Sequence, residues 1–143
     1  MTRTVESGVI FIARIALAVL FLWGATMKLT GYAGFLGYLN SRGVPFVMFA
    51  GPIVVAIELL GGILLVFGWR MRAVGLILAI YTVATAVLGH DFWNATDPNV
   101  EREMVVHFWK NIAIAGGFLL LVVTGAGRIS VDGMRAPRGR LSL

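Results

Sequence analysis

The sequence predicts an all-α membrane protein: a bundle of four transmembrane helices, with a short interfacial helix between spans 1 and 2. Composition is the first sign. Hydrophobic residues fill 59% of the 143 positions and charged residues 13%, against roughly 45–50% and about 25% in soluble domains. The mean hydropathy of +0.89 agrees. Four apolar runs of 17 to 22 residues are the second sign, since roughly 17–25 residues cross a hydrocarbon core as a helix. The length gives a single domain over 1–143.

The first run, 9–29, contains Arg14 and ends on Lys28. It exceeds the roughly 7–15 residues of a signal-peptide core, so a retained helix is expected. The loop that follows, "TGYAGFLGYLNSRGVP", is too long for a tight turn. Tyr32, Phe35, Leu36 and Leu39 recur at helical spacing, which predicts an amphipathic helix at the interface, ended by Gly43 and Pro45. The second run, 46–67, contains Glu58, and the third, 73–89, has no charge. The fourth, 105–124, carries His107 and Lys110. Its helix is expected to begin near Pro98, because Asp97-Pro98 pairs an N-capping carboxylate with proline in the first turn. From Arg128 onward the chain reads as a basic, solvated tail.

Lysine and arginine set the expected orientation. With four spans, both termini share a side with the loop between spans 2 and 3. That side holds Arg3, Arg70, Arg72, Arg128, Arg135, Arg138 and Arg140; the other holds Lys28, Arg42 and Arg102. Both termini are therefore expected in the cytoplasm. The net charge of +5 reads as topology, since the basic residues form no aromatic-interleaved patch for nucleic acid. The absence of cysteine excludes a disulfide framework, an iron–sulfur centre and covalently attached haem within this chain.

Charged groups inside a span are costly and point to function or to a buried partner. Arg14 lies roughly 8 Å past the cytoplasmic start of span 1, and Glu58 roughly 14 Å from the cytoplasmic end of span 2. An Arg14–Glu58 ion pair is expected, either fixing helix register or taking part in chemistry; Arg14 could also snorkel unaided. A richer cluster lies at the outer end. Glu103, His107, Lys110, Asn111 and Ile114 share one face of the fourth helix by their spacing of three and four. Lys28 ends the first helix at that level and His90-Asp91 ends the third.

Lys28, His90, Asp91, His107, Lys110 and Asn111 could thus converge at the outer mouth, with Glu58 beneath and Trp93 and Trp109 supplying aromatic faces. Imidazole and ammonium groups there suit the carbonyl oxygens of a quinone and can pass protons, which makes His107, Lys110 and Glu58 the candidate catalytic residues. Plainer readings stand beside these. Trp23, Trp69, Trp93 and Trp109 fit an interfacial belt, and Lys28 a snorkelling anchor. A metal is not assigned, because His90, Asp91, Glu103 and His107 lack the His-Glu-x-x-His arrangement.

The segments "ARIALAVLFLWGATMKL", "SRGVPFVMFAGPIVVAIELLGGILLVFGWRMR", "FWKNIAIAGGFLLL" and "ISVDG" resemble, in order and spacing, the DoxX family of small four-helix membrane proteins. Its pattern falls on Arg14, Gly24, Lys28, Glu58, Gly68, Arg72, Lys110, Asn111 and Asp132, among others. The resemblance implies a bacterial inner-membrane protein, with relatives in thiosulfate:quinone oxidoreductase, quinone-linked respiration and oxidative-stress complexes. It also extends to distant eukaryotic cargo receptors and chaperones. The expected function is an integral subunit that binds a quinone near the outer face, acting with a partner protein or as a homo-oligomer in the lipid bilayer. A non-enzymatic scaffold is the alternative, and a small transporter the third reading.

Overall fold

The computed structural model describes residues 3–135. Its helices are α1 (Arg3–Thr30), α2 (Tyr32–Ser41), α3 (Val47–Phe67), α4 (Met71–Gly89), α5 (Pro98–Thr124) and α6 (Val131–Arg135). A single 3-10 turn, Phe92–Asn94, lies between α4 and α5. The described residues contain no strand. Four of the helices, α1, α3, α4 and α5, are long and apolar enough to cross a membrane, as the sequence predicts. The interfacial helix is α2.

Local chemistry explains the boundaries. Asp97 caps α5 by accepting from the Asn99 amide at 2.8 Å, and Pro98 occupies the first turn, where its missing N–H costs nothing. Gly43 follows α2 at φ +70°, and α3 ends at Gly68 with φ +65°. The Gly68 position is doubly constrained: a Cβ there would overlap the Arg14 guanidinium.

α1 packs along α3 and α4 along α5, and the two pairs meet mainly through α3 and α4. Small residues permit the close approaches, as expected where lipid supplies no hydrophobic drive between helices. Gly62 sits under Leu22 and the Ala18 carbonyl of α1, and Gly75 under the Phe118 carbonyl of α5. Phe21, Leu65, Met71, Leu78 and Phe118 form the shared core, with Phe21 edge-on to Phe118 at 5.3 Å. Large apolar residues such as Ile12, Leu120 and Val123 face outward, toward the acyl chains. All four tryptophans are exposed, as an interfacial belt requires.

The expected Arg14–Glu58 pair does not form. Arg14 is fully buried and donates instead to the carbonyls of Leu65, Val66, Ala126 and Ile129. Glu58 lies beside Gly24 of α1, where a Cβ would be 3.2 Å from its Oε2. Gly24 is ten residues along α1 from Arg14, about 15 Å at the helical rise. Measuring depth from the apolar boundary of each run misplaces the two side chains, because the registers of α1 and α3 are set by packing.

The same clasp corrects the reading of the tail. Ala126 and Ser130 are buried, the Arg128 amide donates to Ser7 Oγ at 3.3 Å, and α6 folds back on the bundle. The chain is therefore packed on the bundle through Ala126, Ser130 and Asp132, while Arg128, Met134 and Arg135 are exposed; Arg138 and Arg140 lie outside the described residues. Asp132 ties this segment to the α3–α4 link. Its carboxylate accepts from the Arg70 and Met71 amides, both at 2.8 Å, and its own amide donates to the Gly68 carbonyl at 3.1 Å. Arg70 itself sits at φ 49°, a strained conformation for a non-glycine residue. Asp132→Ala removes the acceptor for the Arg70 amide just before α4 and for the first amide of the helix, and a loss of about 1–2 kcal/mol is expected. Thermal unfolding in detergent reads this out, and an unchanged midpoint would show that these bonds contribute nothing.

Candidate functional site

The site lies at the end of the bundle opposite α6, where α2 closes over the four long helices. A cavity of about 500 Å³ opens there, lined by residues of α1 to α5 and by His90. Its walls are mainly apolar, with Leu20, Phe21, Phe35, Leu39, Val54 and Ile114 among them. α2 is fastened over it at the C-terminal end of α4 by two contacts. The Tyr38 hydroxyl donates to the Gly89 carbonyl at 2.8 Å, and Arg42 forms an ion pair with Asp91, which also accepts from Asn94 at 3.0 Å.

The buried charged group of the cavity wall is Glu58. Lys28 Nζ donates to its Oε2 at 2.8 Å and the Tyr81 hydroxyl to its Oε1 at 2.6 Å. Lys28 reaches Glu58 because Gly24, one turn earlier on the same face, leaves room for the carboxylate. The bland reading of Lys28 as a snorkelling anchor therefore gives way to an inward ion pair. A buried pair of this kind is stable only when its remaining lone pairs are satisfied, and Tyr81 supplies that bond.

At the mouth, Lys110 and Asn111 line the cavity with His90 and Arg42. His107 does not line it. Its ring stacks on His90 with centroids 5.1 Å apart, and its Nδ1 lies 2.8 Å from Lys110 Nζ. The two histidines do converge, then, but His107 stands behind Lys110. Asp91 is engaged by Arg42 outside the lining, and neither Trp93 nor Trp109 reaches the cavity. Both instead pack edge-on against Phe108, with Phe92 completing a cluster that joins the 3-10 turn to α5.

Of the sequence candidates, Lys28, Glu58, His90, Lys110 and Asn111 thus share one cavity. Tyr81, Arg42 and the α2 wall were missed. Tyr81 did leave a signal: it is the sole tyrosine of an otherwise uncharged span, and a buried phenol needs a hydrogen-bond partner.

The family model that matches this chain is DoxX, over residues 9–91. The chain belongs to the DoxX family. The match covers α1 to α4, including Arg14, Lys28, Glu58 and Tyr81. Among curated relatives, this DoxX chain is 42% identical to inner membrane protein YphA of Escherichia coli (strain K12) over 123 residues, which is 86% of the chain and 87% of YphA. It is 37% identical to inner membrane protein YqjF of the same organism over 130 residues, 91% of the chain and 94% of YqjF. CatD of Bacillus subtilis (strain 168), named as a candidate oxidoreductase, is 29% identical over 87 residues, 61% of the chain and 63% of CatD. No solved structure matches this chain.

Proposed function

We propose that this DoxX protein binds a quinone or a similar lipophilic redox molecule in the α2-covered cavity, as the membrane subunit of a quinone-linked oxidoreductase or oxidative-stress complex. The observation that carries the proposal is the cavity itself. It combines apolar walls, a volume of about 500 Å³ and two separated polar groups, Lys28–Glu58–Tyr81 within and Lys110–Asn111 at the mouth. Sites for drug-sized and cofactor-sized molecules have this character and roughly this size. The inner-membrane names of YphA and YqjF support the location, and the name of CatD supports redox chemistry. The excess of Lys and Arg on the terminal side supports a cytoplasmic location for both termini.

A bound quinone supplies two carbonyl oxygens that take up electrons and protons. The chain's own residues bind and orient it. Lys110 Nζ and the Asn111 amide donate hydrogen bonds at the mouth, and His107 Nδ1, by accepting from Lys110, fixes where that ammonium points. Tyr81 Oη carries a proton that it shares with Glu58 Oε1, so an exchangeable proton is held beside the cavity. α2 covers one side of the cavity with Phe35, Tyr38 and Leu39. Electrons reach the site from a partner protein.

The test is binding of a neutral prenylated naphthoquinone to the purified protein, followed by quenching of tryptophan fluorescence. Saturable quenching is expected, with loss of at least about tenfold in affinity in Thr85→Phe, which fills the cavity, and in Lys110→Ala, which removes a donor. Helix content by circular dichroism checks that each variant stays folded. Equal binding by wild type and the filled variant would place the ligand elsewhere and end this reading.

A further inference from the structure

The charges around the cavity do not balance. Each of the two carboxylates at or beside the cavity has its own cation: Glu58 has Lys28, and Asp91 has Arg42. Lys110 lines the same cavity, yet among the described residues it has no carboxylate within salt-bridge distance. Its polar neighbour is an imidazole nitrogen, His107 Nδ1, at 2.8 Å. Around it stand further nitrogen donors, the Asn111 amide and the His90 ring that is stacked on His107. The acidic residues of the same helix, Glu101 and Glu103, lie seven or more positions toward its exposed start and make no ion pair with Lys110.

Lys110 is exposed at the rim of a mainly apolar cavity, and an ammonium there with no carboxylate partner is open to a negatively charged ligand group. A neutral carbonyl oxygen would satisfy one N–H and leave the charge uncompensated. An ionised oxygen would satisfy both. A hydrogen bond to a charged partner is also shorter and roughly twice as strong as a neutral one.

We infer that the cavity selects a lipophile carrying a negative charge, an ionised oxygen on a quinone-type ring, and that Lys110 is the residue that selects it. The inference rests on the proposed quinone site and adds the electrical character of its ligand. Lys28 is not the selecting residue, because Glu58 already neutralises it. Arg42 is likewise held by Asp91.

The test compares two probes of one skeleton. The first is a hydroxylated prenyl-naphthoquinone, whose enolic hydroxyl is ionised at neutral pH. The second is its methyl ether, which has the same shape and no charge. Wild-type protein in detergent is expected to bind the ionised probe about tenfold or more tightly than the ether, a ratio read from two equilibrium titrations. Lys110→Gln brings the two affinities to within about twofold, and Lys110→Arg keeps the preference. Equal binding of both probes by the wild type overturns the inference and leaves the quinone reading standing. So does a preference that persists in Lys110→Gln. Binding of neither probe overturns both.

Discussion

Replacing Arg14 with methionine is expected to remove about 3–5 kcal/mol of stability, a large share of the roughly 5–15 kcal/mol that holds a domain folded. The guanidinium is wholly buried and joins three segments: the C-terminal turn of α3 through Leu65 and Val66, the link after α5 through Ala126, and the approach to α6 through Ile129. The last carbonyls of a helix have no acceptor role inside the helix, so Leu65 and Val66 depend on an outside donor. Methionine fills most of the volume but donates nothing, which leaves four carbonyls without their charged partner. Arg14→Lys is expected to recover only part of the loss, because one ammonium cannot span acceptors that the planar fork reaches at once. Thermal unfolding in detergent measures both variants. A methionine variant that melts within a degree or two of wild type would remove Arg14 from its place as the clasp of this end of the bundle.

The second large effect is expected at the other end. Lys28→Met leaves the Glu58 carboxylate with the Tyr81 hydroxyl alone. Removing one partner of a buried pair costs about 3–5 kcal/mol; Lys28 is 27% exposed in its side chain, so solvent screening lowers the expected loss to about 2–3 kcal/mol. The double variant Lys28→Met/Glu58→Gln is expected to recover most of it. Glutamine keeps an oxygen for Tyr81 and carries no charge in need of a partner. A double-mutant cycle separates this coupling from the packing of the lysine stem. If the double variant is less stable than Lys28→Met by the full cost of Glu58→Gln alone, the two side chains are not coupled and the ion pair is incidental.

Much of the fold can be read from the sequence because its signals are local. Span length and hydropathy mark α1, α3, α4 and α5 one segment at a time. Asp97-Pro98 announces the start of α5, and the spacing of Tyr32, Phe35 and Leu39 announces α2. The polar face of α5 was also legible in part, since Lys110 and Asn111 share a turn and both line the cavity. His107 obeys the same spacing but stops one layer short, stacked on His90. Helical periodicity tells which side chains share a face, not which of them stands in front.

By itself, the sequence determined the number of membrane helices, their approximate ends, the interfacial helix and the family, all written within single segments or short motifs. Only the tertiary structure decided the partners of the buried charges. Glu58 could have met either Arg14 or Lys28 of α1, and the register of α1 against α3 selected Lys28. The acceptors of Arg14 could not have been read from the sequence at all. They are backbone carbonyls, which every residue carries, so nothing in the identity of Leu65, Val66, Ala126 or Ile129 marks them for that role.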